Sequence, residues 1–306
     1  MQQAEWQYED TTVTDTYVKR MQNRTFTEPP KKPLRKSTGQ CAKYVKVALW
    51  YAVQEQNGNK PIGSGVSPAR LLGPCLVQAG FVNVTDQLPD ARWAAPGDVI
   101  VYSKIGDPNA AGHIDIRTYD GYVSDFFTHR LPVTAYRIIG IYRKHFDPLP
   151  EKRMRAFLKL LREWECHEQP DDQKRYYMLQ KALDGKRTFS TTEAHPYLGK
   201  DKIGSFSGAY QIHFDTWSDA IKHGGMPSTF SPIVQDRIAI WKCEARDNAL
   251  GSIRLGKIEE AIKKLPAEWS SLPDGKHPRT EVRQGQRYRY TEADVISSFN
   301  ENLSKA

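Results

Sequence analysis

The chain has 306 residues, 39% of them hydrophobic, with 7 Trp, 15 Tyr and 11 Phe, which fits about two domains with real apolar cores. Its formal charge of +8 is spread over both halves without a basic block or Arg-rich arm, so nucleic-acid binding is not favoured. A mildly basic surface suits another polyanion, a bacterial wall included.

Cys41, Cys75, Cys166 and Cys243 form no CxxC pair. That argues against a thiolate zinc site and, in a chain this long, against a disulfide scaffold. No metal and no cofactor is expected. The opening MQQAEWQYEDTTV lacks a basic n-region and an apolar h-region. No apolar run approaches a membrane span. The expectation is a protein made soluble in the cytoplasm, without membrane insertion. Reaching a substrate outside the cell would need a route other than a cleaved signal.

Residues 1–30 are polar and aperiodic and read as an arm ending at Pro29-Pro30. Gly39-Gln40-Cys41 then opens a helix whose stripe is Tyr44, Val45, Ala48, Leu49 and Ala52. Cys41 falls in the first turn, where exposed N–H groups stabilise a thiolate. The competing reading is a small buried residue. Cys75, after Gly73-Pro74, is read as structural because no helix start activates it.

Pro68–Leu72 reads as a short helix and Phe81–Val84 as a short strand. Ala95-Pro96-Gly97-Asp98 is a turn before the strand Val99–Tyr102. Gly112–Arg117 alternates as the next strand, Asp120-Gly121 is a hairpin signal, and Tyr122–Phe127 is the return strand. Ile138–Tyr142 is one strand more. A helix carrying a cysteine, then an antiparallel sheet carrying a histidine, is an α+β unit.

Gly-Gln-Cys opening a helix, Pro-Gly-Asp before a strand and Gly-His at the next strand resemble the CHAP/NlpC-type papain-like cysteine amidases over residues 31–146. The strand GHIDI is similar to that of type VI secretion amidase effectors. The resemblance implies a papain-like domain that cuts peptide stems of peptidoglycan. Cys41 becomes the nucleophile, His113 the base, and Gln40 a substrate contact. The group orienting the imidazole is assigned to Asp125, with Asp120 and Asp115 as rivals. Hairpin register decides among them: a three-residue turn puts Asp125 on the His113 side and a two-residue turn does not.

Asp147-Pro148-Leu149-Pro150 is read as a linker spanning 147–151, and 152–306 as a mainly helical domain. Its opening helix, Met154–Glu168, shows Phe157, Leu160, Leu161 and Trp164 on one face. Glu165 sits at the edge of that face. A carboxylic acid against an apolar wall stays protonated more readily and can act as a general acid; the plainer reading is a solvated rim residue. Further helices are expected at Tyr176–Leu183, through Trp217–Ile221, from Ser231-Pro232 onward, at Ile258–Leu265 and at Thr291–Leu303. Gln235-Asp236 reads as helix surface.

The AFLKLL helix with its Glu, the His-Pro loop, SGAYQ, FSPxxQD and EWSSLP follow the order seen in phage lambda-type endolysins and their lysozyme-like relatives. This resemblance covers residues 153–275. It implies a lysozyme-like fold that cleaves the MurNAc–GlcNAc bond, with Glu165 as the acid, Glu168 as its rival, and Tyr210 and Gln211 lining the cleft. Trp164-Glu165-Cys166 replaces the family's usual Ser-Glu-Gly. A second carboxylate is not obvious, Asp184 and Glu193 being unsupported candidates. A lone acid suits a lytic transglycosylase.

The combined expectation is a bifunctional peptidoglycan hydrolase delivered to the periplasm of a target cell as a type VI antibacterial effector. Its expected partners are peptidoglycan, an immunity protein and a secretion spike or carrier. The alternatives are a phage endolysin making the same two cuts, or a wall-binding protein with one inactive domain.

Overall fold

Val99–Tyr102, the strongest β-forming run, lies at the centre of a six-stranded antiparallel sheet. The computed structural model describes residues 37, 39–53, 61–118, 121–144, 148–167, 169–179, 188–199, 206–273, 279–283 and 286–306. The chain divides into two compact units, Met1–Pro148 and Leu149–Ala306. The first is α+β and the second is mostly helical.

The strands of the first unit are β1 (Val82–Asn83), β2 (Val99–Lys104), β3 (His113–Arg117), β4 (Tyr122–Val123), β5 (Phe127–Thr128) and β6 (Tyr136–Arg143), in the order β1-β6-β2-β3-β4-β5. Side chains alternate between faces. Val99, Val101, Ile114, Ile116 and Val123 pack against helix α1 (Cys41–Val53) through Tyr44, Val45, Ala48 and Leu49. Ile100, Tyr102, Tyr122, Ile141 and Leu131 build a second core. Both faces of β2 are therefore covered, which accounts for its continuous apolar run.

The sheet departs from expectation at two places. Pro68–Leu72 forms a 3-10 turn over Ala69–Leu71, followed by a short helix α2 (Gly73–Gln78) with Pro74 in its first turn. Cys75 thus does lie near a helix start, half-buried against the core that carries α1. The return strand Tyr122–Phe127 is broken: β4 stops at Val123, and the Ser124 N–H turns to the Phe126 carbonyl at 2.9 Å.

The second unit opens with helix α3 (Leu149–Glu165), which buries Met154, Phe157, Leu158, Leu160 and Leu161. Then come α4 (Asp172–Arg175), the hairpin β7 (Phe206–Ser207) and β8 (Ile212–His213), α5 (Phe214–Gly224), α6 (Pro232–Ala245), α7 (Ala249–Leu255), α8 (Ile258–Lys264), the hairpin β9 (Arg279–Arg283) and β10 (Gln286–Tyr290), and α9 (Glu292–Ser304). A capping box between Thr291 and Asp294 starts α9.

The helix expected at Tyr176–Leu183 starts earlier and ends at Arg175. Asp171 caps it by accepting from the Gln173 and Lys174 N–H groups, and Met178 and Leu179 are then drawn into bridges with Thr188 and Ser207. Helix α7 and the β9–β10 hairpin are additions that the periodicity does not announce. On α6 the buried side runs through Val234, Gln235, Ile238 and Ile240, while Ile233 is exposed. Among the described residues no helix is long and apolar enough to cross a membrane.

Candidate functional sites

In the first unit, Cys41 is the first residue of α1 and His113 the first of β3. The approach to His113 depends on Gly112. Its φ is +75°, and a Cβ there would stand 2.3 Å from the Tyr102 carbonyl and 2.9 Å from Arg70 Cβ, so a larger residue would displace the strand start. The His113 ring is 6% exposed and packs among Tyr102, Tyr136 and Phe126, with centroids 5.4, 5.6 and 6.0 Å away.

His113 Nε2 lies 3.5 Å from Asp115 Oδ2. The Tyr102 hydroxyl donates to both Asp115 oxygens, at 3.2 and 3.0 Å, which fixes the carboxylate behind the ring. The Cys41 side chain is close enough to the ring to favour its protonated form. Burial disfavours the imidazolium, but Asp115 and Cys41 outweigh it and raise the His113 pKa to about 10. A thiol, an imidazole and a carboxylate therefore stand in series.

The structure corrects the assignment of Asp125 as the orienting carboxylate. Ile116 pairs with Val123 and Arg117 with Tyr122, so the turn spans four residues. An even turn puts position 125 on the face away from His113, and the strand has already ended there. Asp125 is fully buried and accepts from Ser37 Oγ at 2.8 Å, the Gln40 N–H at 3.0 Å and Ser124 Oγ at 3.3 Å. It holds the segment leading into Cys41. The Gln40 side chain is exposed, and Asp120 lies outside the described residues.

In the second unit, Glu165 is the last residue of α3 and is half-buried. One turn before it, Arg162 anchors a buried polar network. Its Nε and Nη2 donate to the two Asp172 oxygens at 2.9 and 2.8 Å, and its Nη1 donates to the Tyr210 hydroxyl at 2.9 Å. The Tyr210 and Tyr176 hydroxyls both donate to Asp236 Oδ1, at 2.6 and 2.7 Å. Burial opposes charge on Asp172, but Arg162 and Arg175 outweigh it and hold its carboxyl below the usual range. For Asp236 burial wins, and its carboxyl is pushed up despite both tyrosine hydroxyls and Arg162.

This network corrects two readings. Tyr210 is 1% exposed and ties α3 to α6 rather than lining a cleft. Gln235 is interior rather than helix surface, and Asp236 is half-buried. Gln235 Oε1 accepts from the Ala209 N–H at 2.9 Å, and its Nε2 donates to the Tyr176 and Phe230 carbonyls at 2.9 and 3.0 Å. A Cβ on Gly208 would lie 2.1 Å from that Oε1, which is why SGAYQ needs its glycine.

Gln211 stays at the rim. Its backbone adopts φ +45°, and its N–H and side-chain Nε2 both donate to the Gly208 carbonyl, at 3.1 and 2.9 Å. The same amide lies 3.5 Å from Cys166 Sγ, the residue after Glu165, so Gln211 belongs to the Glu165 end of the unit. Glu163 pairs with Lys159 and accepts from Asn302 at 2.8 Å, away from Glu165. Glu168 and Asp184 lie outside the described residues, and Glu193 is exposed. Among the described residues no group of three His, Cys, Asp or Glu side chains could hold a metal ion.

Arg162, Asp172, Tyr176 and Asp236 were not anticipated. The available signal was an arginine three residues before Glu165 and four after Leu158, inside the apolar stripe of α3.

Comparison with known proteins concerns the second unit. The family described as Endolysin matches residues 155–300. The chain is 34% identical over 108 residues to an endolysin of Escherichia phage P2, covering 32% of this chain and 64% of that protein, a little under two thirds of its length. It is also similar to a solved structure of bacteriophage lambda lysozyme complexed with a chitohexasaccharide, at 26% identity and a TM-score of 0.37, covering 49% of this chain and 94% of that one. The C-terminal region thus resembles the phage endolysins.

Proposed function

We propose that the C-terminal unit is a lysozyme-type glycosidase acting on the glycan strands of peptidoglycan, with Glu165 as the general acid. The observation that carries this reading is the endolysin match, which begins inside α3 and runs through Glu165, the Gly208–Gln211 loop and α6. Glu165 gives its proton to the glycosidic oxygen as the bond breaks. The cationic sugar is then captured by water or by its own 6-hydroxyl. Gln211 Oε1, with Nε2 already committed to Gly208, is the acceptor we assign to a sugar hydroxyl. Glu165→Gln should abolish strand cleavage of purified sacculi, read as muropeptides by mass spectrometry. Unchanged products would remove Glu165 as the acid and point to Glu168. Reducing ends or 1,6-anhydro ends then identify the capturing group.

A second activity is favoured by the Cys41–His113–Asp115 series. In this reading the Cys41 sulfur attacks a stem-peptide carbonyl, His113 passes the proton to the leaving amine, and Asp115 holds the imidazole. The Cys41 N–H supplies an oxyanion donor. Cys41→Ala should remove stem cuts and leave strand cuts. Wall binding with no released fragments would favour a binding protein instead.

Phage-type lysis suits the named relatives better than type VI delivery. The immunity protein and the spike or carrier belong to the type VI route. Spike genes rather than holin genes beside this one would reverse that preference.

A further inference from the structure

The first unit holds an open cavity of about 430 Å³, within the size range of small-ligand sites. Arg70, Lys104 and Arg137 line it together with Ile105, Ile139 and Ser103, and among the described residues no acidic side chain does. Among the described residues none of the three cations forms an ion pair. Arg70 spends its Nε on the Ala110 carbonyl at 2.9 Å. Asp107, in the turn after β2, folds back instead: its Oδ1 accepts from the Asn109 and Ala110 N–H groups, both at 3.1 Å. Ile105 and Ile139 are 55% and 40% exposed at the rim and give it an apolar surface. Cys41, His113 and Asp115 are not among the residues that line the cavity. Tyr102 is the strand partner of His113, while Ser103 pairs with Arg137, so Ser103 and Arg137 lie on the face opposite the His113 side chain.

We propose that this cavity binds a carboxylate flanked by a small apolar group, as at the C-terminal end of a short peptide. Arg137 and Arg70 present planar donor forks suited to a carboxylate, and Ile105 and Ile139 take the apolar flank. The site requires neither cleavage activity.

The test is amide-shift titration of the full chain with N-acetyl-leucine, N-acetyl-leucinamide and inorganic phosphate. N-acetyl-leucine should give saturable shifts at Ser103–Gly106 and Arg137–Ile139. The uncharged amide should bind at least about tenfold more weakly, as should N-acetyl-leucine to Arg137→Gln. Arg137 is exposed, so this variant should keep its remaining spectrum, and the exposed Lys104→Gln offers a second, independent loss of charge. Equal binding of acid and amide, undiminished binding by both variants, or no saturable shift at these residues would overturn the proposal. Phosphate binding as tightly as N-acetyl-leucine would overturn the ligand class, leaving a plain anion site.

Discussion

Replacing Tyr210 with phenylalanine removes one oxygen and separates two accounts of that residue. The ring is 1% exposed, its hydroxyl donates to Asp236 at 2.6 Å, and it accepts from Arg162 at 2.9 Å. Asp236 keeps the Tyr176 hydroxyl at 2.7 Å, and Arg162 keeps Asp172. The loss is therefore one charge-assisted hydrogen bond plus a partly stranded guanidinium N–H, together about 2–3 kcal/mol. For a unit of this size that lowers Tm by roughly 4–12 °C. The assay is urea and thermal unfolding of the full chain, paired with the rate of glycan release from sacculi. We expect reduced stability with KM for soluble glycan unchanged below the new Tm. Unchanged stability with a raised KM would refute the strut role and return Tyr210 to the cleft wall.

Gly208→Ala should cost at least about 2 kcal/mol, from a left-handed backbone denied to Ala and from displacing Gln235 off the Ala209 N–H; urea unfolding reads it, and a change under about 0.5 kcal/mol would contradict the geometry. His113 binds its proton more tightly folded than unfolded, with its pKa raised from 6.5 to about 10. Its contribution to stability is thus complete below about pH 6.5 and lost as pH rises through 10. Unfolding of the first unit followed by intrinsic fluorescence should show this decline, and His113→Gln should flatten it. Asp115→Asn should move the pH profile of Cys41 alkylation downward, because the imidazolium loses its carboxylate. Asp125→Asn should slow alkylation without moving the profile, because it loosens Ser37 and Gln40 instead; exchanged behaviours would restore Asp125 as the orienting group.

Local pattern made much of this protein legible. The alternation of Val99–Tyr102, the stripe on α1 and the amphipathic face of α3 each depend on neighbours within a few residues, and backbone periodicity alone fixes which side chains share a face. Cys41 at a helix start, His113 at a strand start and Glu165 at the edge of the apolar face of α3 were placed by such patterns, whereas the helix was expected to run on to Glu168 and stops at Glu165. Tertiary structure decided what each of these meets. Whether Asp115 or Asp125 stands behind His113 turned on the parity of a hairpin loop, and composition signals a turn far better than its length. Whether Tyr210 faced sugar or protein turned on Arg162, 48 positions away, and Gln235 became interior because the Gly208–Gln211 loop folds against it. Those outcomes rest on pairings between distant segments, where a shift of one residue inverts every side chain, and no local run of the sequence encodes that choice.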